Sequence, residues 1–339
     1  MDEVSLLVDG NRYSGWTSVR IGNSLNQFAK TFQVDLTEQW TGQSIRPIKP
    51  GAAVSVLVGD RVELTGYIDE VAPKYNAKSH SLQVVGRSRG ADIVDCSHKG
   101  KSFKQQTLVQ VAEQLLKPFE LSVSADVDIG GAFAEVAIDE GQIIFDFLQE
   151  LARIRGVLIQ SDDKGNVVFT TAGKGGESAA LELGNNIRSA SGRFSYRDRF
   201  SEITVYAQQK AGGLFAPSDT ALNGKTVPDD VDRYRPLVVV SSTPVGIGGC
   251  ESAAKWERGK RYGKSQSIVY TVSGWDGWDL NTLCHVEDSF LEIKEQRLVA
   301  GTQKVLDSGG RRMEIEVVPK EAFTLQKLPE PKSEGGLFG

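Results

Sequence analysis

The densest group of potential metal ligands in this sequence is the run Cys284-His285-Val286-Glu287-Asp288. On a β-strand, His285 and Glu287 point to the same face, because successive side chains alternate. A zinc site needs at least one further ligand, and the only other histidines are His80 and His98. The pattern therefore favours an ordinary strand, and we expect no metal site here.

Two glycine-rich segments resemble phosphate-binding loops but differ from them in detail. Gly246-Ile247-Gly248-Gly249 follows an apolar run at 237–240, yet Glu251 stands where the third glycine of G-x-G-x-x-G belongs and would repel a phosphate. Residues 259–265 (GKRYGKS) are one residue short of a Walker A motif and follow a helical segment. Neither segment predicts nucleotide binding, and we expect no cofactor.

Paired carboxylates at Asp162/Asp163 and Asp229/Asp230 are the remaining candidates for acid–base chemistry. Both pairs lie in polar, turn-like contexts, which favours solvated turn residues over the two carboxylates of a glycosidase. The sequence contains no G-x-S-x-G motif and no convincing nucleophile–base set. We therefore expect no catalytic, cofactor-binding or metal-binding residues, and a chain that is not an enzyme.

Composition describes an ordinary globular chain that is rich in turns. The 339 residues predict two to four domains, 40% of them are hydrophobic, and 36 are glycine. The net charge of -5 provides no general attraction to nucleic acid or to anionic membranes. No apolar run is long enough to span a bilayer, and the N-terminus lacks the pattern of a signal peptide. The widely spaced cysteines predict buried or incidental thiols, and the dispersed tryptophans predict core or interface packing: Cys96, Cys250, Cys284; Trp16, Trp40, Trp256, Trp275, Trp278.

Residues 1–96 alternate apolar and polar positions in a way that is typical of antiparallel strands. Within 51–95, Val54, Val56 and Val58 share one face, and Gly66 predicts a break between two strands. Asp9-Gly10-Asn11 predicts a tight hairpin near the start of the chain. About six strands are predicted, enough for a closed or nearly closed β-barrel.

The pattern changes to helical spacing in 97–178, which predicts a small α+β domain. Helices are predicted over 107–119 and over 144–154, the second ending at Gly156. A hairpin is predicted over 157–169, whereas residues 126–142 and 172–178 read as loop or linker.

Alternation returns in 179–322, which predicts a second β-barrel domain with an irregular and helical insertion at about 211–265. The insertion contains an excursion over 211–236 and a charged helix over 251–262. Residues 323–339 read as a flexible tail. The predicted fold is mainly β with an α+β middle: two related antiparallel β-barrel domains and a small α+β domain.

Several phrases of the sequence resemble a known family. The run VDGNRYSGWTSVRI at 8–21 resembles the start of the baseplate hub proteins of Mu-like contractile-tailed phages, and so do the later runs FQVDLTE (32–38), LTGYIDE (64–70), SLQVVGRS (81–88) and ADIVDC (91–96). Residues 147–169 look like the middle-domain pattern of the wider late-control and hub group. The resemblance covers most of 1–320 and is weaker over 211–265.

This resemblance implies an architectural function. Family hubs are homotrimers in which each subunit supplies two related barrel domains, so that three subunits form a ring with pseudo-sixfold symmetry. Such a ring adapts the sixfold tail tube to the threefold central spike. DNA passes through its lumen only as cargo during ejection. The implied partners are the chain itself, the tail tube protein, the central spike protein and other baseplate proteins, with no membrane insertion by this chain.

The same resemblance implies a place in the virion, in the tail baseplate of a Mu-like phage or prophage, after assembly in the bacterial host cytoplasm. An acidic net charge suits a conduit that should not hold DNA by its phosphates. If the ring is formed in this way, the second β domain superposes on the first by a rotation of about sixty degrees about the trimer axis. The tail is a candidate connector toward the spike. The alternative function is a tail-associated cell-wall glycosidase or binding module.

Overall fold

A computed structural model describes residues 3–38, 48–76, 80–207, 222–228, 230–241, 247–325 and 327. Strands account for most of these residues, and helices lie mainly in the middle of the chain and before its last strands. Within these ranges, no helix is both long enough and apolar enough to cross a membrane.

The N-terminal strands pair only in antiparallel fashion, in the spatial order β3-β4-β7-β6-β5-β1-β2. They are β1 (Val4–Val8), β2 (Asn11–Tyr13), β3 (Ser18–Ser24), β4 (Gln27–Glu38), β5 (Ala53–Val58), β6 (Arg61–Tyr75) and β7 (His80–Ser88). The hairpin at Asp9-Gly10 is confirmed, with both residues at positive φ. The break predicted at Gly66 is wrong, since β6 runs through this residue. The glycine is needed for close packing instead, because a Cβ there would lie 1.8 Å from the carbonyl oxygen of Arg87.

The middle of the chain forms three helices and small sheets, and its core is separate from that of the N-terminal strands. Its elements are α1 (Ala91–Asp95), β8 (Ser97–Gln106), α2 (Leu108–Leu116), a 3-10 turn (Lys117–Phe119), β9 (Val123–Ala125), β10 (Phe133–Ile143), α3 (Ile144–Arg155), β11 (Leu158–Ser161) and β12 (Val167–Thr170). Both predicted helices and the hairpin are confirmed. Thr107 begins α2 with a capping box, and Gly156 ends α3 in the left-handed conformation.

The loop predicted over 126–142 is wrong in its second half. β10 occupies 133–143 and pairs with β8 as a two-stranded antiparallel ribbon. Most side chains of both strands are exposed or half-buried, so the ribbon lacks the apolar alternation that reveals a strand in sequence.

The C-terminal part contains nine strands and the longest helix of the described chain. The elements are β13 (Leu181–Glu182), β14 (Ile187–Phe194), β15 (Glu202–Ala207), β16 (Leu222–Thr226), β17 (Pro236–Ser241), α4 (Ile247–Lys264), β18 (Gln266–Ser273), β19 (Leu283–Asp288), β20 (Ile293–Asp307), β21 (Gly310–Val318) and a 3-10 turn (Lys320–Ala322). The charged helix is confirmed and is longer than predicted. Residues 211–221 of the predicted excursion lie outside the described residues, but 222–226 form β16, which pairs with β15. Most of the predicted tail also lies outside them.

The strands of both halves join one thirteen-stranded sheet instead of two closed barrels. β20 pairs with β3, from Gly301 opposite Ser24 to Leu306 opposite Val19, and a single hydrophobic core extends across both halves. No closed barrel is present in the part of the chain that the structure describes. β20 is fifteen residues long and pairs with β21 on one side. Its other side is shared by two strands, β19 at one end and β3 at the other, and this joins the two halves in one open sheet.

The two halves nevertheless share one strand arrangement. In chain order β3, β4, β5, β6 and β7 correspond to β14, β18, β19, β20 and β21, and the spatial orders β5-β6-β7-β4-β3 and β19-β20-β21-β18-β14 are the same. The pairing register shifts between Ile68 and Glu70 in one set and between Val299 and Gly301 in the other. We name these the N-terminal set and the C-terminal set.

Candidate functional site

The predicted ligand cluster lies on β19 and divides between its two faces. His285 and Glu287 share the exposed face as predicted, whereas Cys284 and Asp288 are buried. Glu287 binds Lys294 at 2.8 Å, and burial raises the pKa of the Cys284 thiol to about 12. In the described ranges, no three His, Cys, Asp or Glu side chains are grouped so that they could hold a metal ion.

The glycine-rich segments have structural positions. Residues 259–265 lie almost entirely within α4, so they form no phosphate-wrapping loop. Gly259 and Gly263 let the helix approach the 3-10 turn: a Cβ would lie 2.8 Å from the Glu321 oxygen at the first and 2.0 Å from the Ala322 Cβ at the second. Gly248 and Gly249 are in the first turn of α4, and Gly246 lies outside the described residues.

The paired carboxylates that the structure describes are held by neighbouring groups. Asp162 accepts hydrogen bonds from the backbone amides of Lys164 and Asn166, both at 2.8 Å, in the turn between β11 and β12. Asp163 forms an ion pair with Lys30. Asp230 forms an ion pair with Arg199, and Asp229 lies outside the described residues.

Three predicted interior tryptophans pack in or against the shared core, and a fourth does not. Trp275 donates to the Arg312 carbonyl at 2.9 Å, Trp278 donates to the Ala179 carbonyl at 2.9 Å, and Trp16 packs against the core from its edge. Trp256 lies on α4, between Arg153 and Lys260. Trp40 lies outside the described residues. The prediction of core packing is thus confirmed for three of the five.

An unpaired sheet edge is the most prominent surface feature that the sequence did not reveal. β14 pairs with β18 on one side, and no strand of the described chain pairs with its other side. Every residue of β14 after Ile187 is exposed. Ala190 and Gly192 lie opposite the core residues Tyr270 and Ile268, so this edge leaves part of the core side of the sheet open. Edges of this kind are ready to pair with another chain.

The second half of β6 is also open on one side. Its pairing with β5 ends at Tyr67 opposite Ala53, and beyond Glu70 the described chain pairs only its β7 side. Tyr75, at the end of the strand, is 83% exposed. A large aromatic side chain in this position is a common mark of an interface.

The joint between β3 and β20 shows how such edges are covered within the chain. β3 is the counterpart of β14 and β20 is the counterpart of β6. At the joint, Val19 and Ile21 of β3 are buried, opposite Leu306 and Lys304 of β20. The corresponding strands β14 and β6 lack this cover.

Comparison with known proteins shows that the chain is similar to phage tail proteins. Three family models match. Residues 3–88 match the model described as Mu phage baseplate assembly protein GpP-like, N-terminal, and residues 90–171 match the model described as baseplate hub protein gp44-like, second domain. Residues 249–326 match the model described as Mu phage baseplate assembly protein GpP, fourth domain. The chain is 29% identical over 350 residues to baseplate hub protein gp44 of Escherichia phage Mu, which covers 98% of this chain and 92% of that protein.

Two solved structures match over nearly the whole length. The 43 kDa tail protein of prophage MuSo2 from Shewanella oneidensis is 34% identical, with a TM-score of 0.87 over 95% of this chain and 100% of that chain. The tail protein from Neisseria meningitidis MC58 is 21% identical, with a TM-score of 0.82 over 96% of this chain and 99% of that chain. The second likeness concerns the fold alone.

Proposed function

Because the chain belongs to the family of Mu-like phage baseplate hub proteins, we propose that three copies form a ring that adapts the sixfold tail tube to the threefold central spike. As a hub protein of a phage tail, the chain is a component of the virion. The observation that carries the ring proposal is the shared strand order of the two sets, because one chain then supplies two equivalent units and three chains supply six.

The joint inside the chain predicts the contact between chains. β14 corresponds to β3, and β6 of a neighbouring copy corresponds to β20. The observed pairing of β3 with β20 therefore predicts which residues of β14 and of the neighbour's β6 lie opposite each other. Tyr75 of the neighbouring copy then lies opposite Ala190, Pro73 lies opposite Gly192, and Val71 lies opposite Phe194. This register accounts for the exposure of Tyr75 and of the small residues on β14 in the isolated chain.

The contact is heterologous, since β14 and β6 are different surfaces of the same chain. Repeating a heterologous contact with a suitable rotation generates a closed ring. Within such a ring, joints inside chains alternate with contacts between chains. The C-terminal set is then related to the N-terminal set by a rotation of about sixty degrees about the ring axis.

The remaining elements of the proposal follow from this ring. Its lumen passes DNA as cargo, and the net charge of -5 avoids a general attraction to phosphates. Its faces contact the tail tube protein, the central spike protein and other baseplate proteins, and the tail after 323 is a candidate connector toward the spike. Assembly in the host cytoplasm, no membrane insertion and the absence of catalysis complete the proposal.

We retain the division into 1–96, 97–178, 179–322 and 323–339 as part of the proposal. The family models for the first and second domains end at 88 and 171, close to the first two boundaries. Separate cores beneath the N-terminal strands and in the middle of the chain support a boundary in this region, although Ile93 of α1 packs in the middle core and favours a position a few residues earlier.

A cysteine pair across the predicted contact tests the ring. In a Cys96→Ser background, Tyr75→Cys and Ala190→Cys together should form intermolecular disulfides on mild oxidation, because directly opposed residues on paired strands have Cβ atoms about 5 Å apart. We expect covalent trimers on a denaturing gel and three chain masses by light scattering under native conditions.

The matched control is Tyr75→Cys with Ser191→Cys, which moves the second thiol one residue along β14 and therefore to the opposite face. This pair should cross-link far less. Equal cross-linking of both pairs would disprove the register, and a single chain mass at high protein concentration would disprove the ring.

A further inference from the structure

A cavity of about 660 Å³ lies on the side of the C-terminal set that faces away from the shared core. Its floor is the outward face of β14, β18 and β21, and its walls are α3, α4 and the turn between β3 and β4. The cavity is thus formed where the middle of the chain and the inserted helix meet the sheet. No function assigned above uses it.

Part of the cavity lining is apolar. Phe28 and Phe145 have ring centroids 5.1 Å apart, and Val269, Val318 and Phe323 contribute further apolar surface. A site of this size and character holds one or two apolar side chains of a ligand.

Four cations from three different elements surround the apolar part. Lys260 and Lys264 follow Trp256 at successive turns of α4, Arg153 comes from α3, and Arg193 comes from β14. The Arg153 guanidinium lies 5.3 Å and the Lys260 ammonium 4.7 Å from the centroid of the Trp256 ring. Burial lowers the pKa of Lys260, Glu257 opposes this shift, and the nearby cations Lys264 and Arg153 add to it.

The two carboxylates that line the cavity, Asp198 and Glu316, are engaged with other groups. Asp198 lies 3.7 Å from Arg261, and Glu316 accepts a hydrogen bond from the Ser267 hydroxyl at 2.7 Å. Within the described ranges, none of the four cations has a carboxylate within ion-pair distance. Cations crowded around an apolar hollow favour a ligand that brings both carboxylates and apolar groups.

We propose that this cavity binds an acidic peptide segment of a partner protein, with apolar side chains in the hollow and carboxylates on Arg153, Arg193, Lys260 and Lys264. The proposal does not depend on the ring. On β14, Arg193 lies on the cavity side of the sheet, whereas Ala190 and Gly192 lie on the core side, so the cavity is lined without the core-side residues of the predicted contact between chains.

A peptide suits the cavity better than a nucleic acid does. A phosphate backbone carries a charge at every repeat, so it would bring charge next to Asp198 and Glu316 in the walls, and it has no apolar side chains to fill the hollow. A peptide can alternate carboxylates with apolar side chains, which matches the alternation of cations and apolar surface here.

Fluorescence anisotropy with the full chain tests the proposal. The probe is a labelled peptide DLDFEL, compared with the neutral peptide NLNFQL and with DSDSES, which lacks apolar side chains. DLDFEL should bind at least about tenfold more tightly than either control peptide, because each control lacks one of the two kinds of contact. The double variant Lys260→Glu, Lys264→Glu should lose at least about tenfold in affinity for DLDFEL. The difference in affinity between the parent chain and the variant should be largest at low salt, where charges are screened least.

Lys255→Glu is the matched control, since it reverses a charge on the same helix outside the cavity. It should leave the affinity unchanged. Equal binding of NLNFQL, or unchanged binding by the double variant, would overturn the proposal. If hexathymidylate competes with DLDFEL as well as the unlabelled peptide does, at the same concentration of negative charges, the cavity is a general polyanion site and the proposal is wrong. Loss of trimers in the double variant, by light scattering, would assign the cavity to a second copy of this chain; an unchanged trimer keeps this test separate from that of the ring.

Discussion

The N-terminal and C-terminal sets have the same strand order but different surroundings. β3 and β4 are joined by a tight turn, whereas β14 and β18 are separated by the small sheet β16-β15-β17 and by α4. β3 pairs with β20 on its outer side, whereas no strand of the described chain pairs with the outer side of β14. One topology therefore has two outcomes in the same chain: the N-terminal set is joined to β20 within the molecule, and the C-terminal set leaves β14 open, where we propose that a neighbouring copy binds.

The two sets also fill equivalent interior positions in different ways. Gly86 lies opposite Phe32 in the N-terminal set, and Val317 lies opposite Ile268 at the corresponding position of the C-terminal set. A glycine beside a phenylalanine and a valine beside an isoleucine both fill the space between neighbouring strands. Exchange of volume between neighbours preserves a core while the sequence diverges.

The strongest test of the difference in surroundings is the same substitution at corresponding positions. Val19→Lys places an ammonium at a fully buried site in the joint, which should cost about 4 kcal/mol or more of unfolding free energy. Ala190→Lys changes an exposed residue, so we expect a change of about 0.5 kcal/mol or less in the isolated chain and the loss of trimers.

Urea unfolding and light scattering on both variants measure the two effects. A large loss of stability in the isolated Ala190→Lys chain would mean that β14 is already covered within one molecule. Trimers that persist in that variant would remove β14 from the interface.

The next effect concerns the different interiors of the two sets. At Gly86 a Cβ would lie 2.3 Å from the Tyr67 carbonyl oxygen and 2.5 Å from the Phe32 ring. Gly86→Val should therefore cost about 3 kcal/mol through overpacking. Gly131→Ala is the control, since nothing lies within 4 Å of its Cβ position. Differential scanning calorimetry should show a large fall of Tm for the first variant only; equal behaviour would show that the close packing at Gly86 is dispensable.

A smaller effect should come from the ion pair that ties the two sets together at the joint. Lys304 of β20 lies 2.6 Å from Glu63 of β6, and both side chains are largely buried. Glu63→Gln leaves the Lys304 ammonium without its carboxylate and should cost about 2 kcal/mol. The exposed pair of Glu287 and Lys294 is the control, and Glu287→Gln should change stability by at most about 0.5 kcal/mol. Chemical denaturation distinguishes the two, and equal losses would argue against a special role of the joint.

The smallest effect is expected at the β20–β21 hairpin, where Arg312 holds Asp307 through two hydrogen bonds of 2.7 Å. These bonds, with the Gly309 amide, lower the pKa of Asp307 to about 2. Its contribution to stability is therefore present above the ordinary aspartate pKa near 3.8 and is lost as the pH falls toward 2. The N-terminal set has its arginine clamp elsewhere, at Arg87, which binds Asp69 and Asp95.

Asp307→Asn should thus be slightly less stable than the parent chain at pH 7, and the difference should shrink between pH 4 and pH 2. Unfolding midpoints in urea across this range provide the measurement. A difference that stays constant with pH would show that the ion pair contributes nothing.

Much of the local structure was predictable because it depends on neighbours in sequence. Alternation at Val54, Val56 and Val58 predicted β5, and helical spacing with Gly156 at its end predicted α3. The ribbon β8–β10 was missed because its two faces are largely solvated. The cavity was missed because Arg153, Arg193 and Lys260 are far apart in sequence, and each one alone resembles a solvated surface cation.

Most strands, both predicted helices of the middle of the chain, the charged helix and several turns follow from the sequence alone, and its resemblance to a family indicates the class of protein. Those features depend on side-chain periodicity, capping residues and short phrases that survive divergence. Only the tertiary structure decided that β20 pairs with β3, that the two sets share one order, and that β14 and the end of β6 are left open. Pairings between residues nearly three hundred positions apart have no local signature, because strand alternation shows which face is buried but not which strand lies alongside.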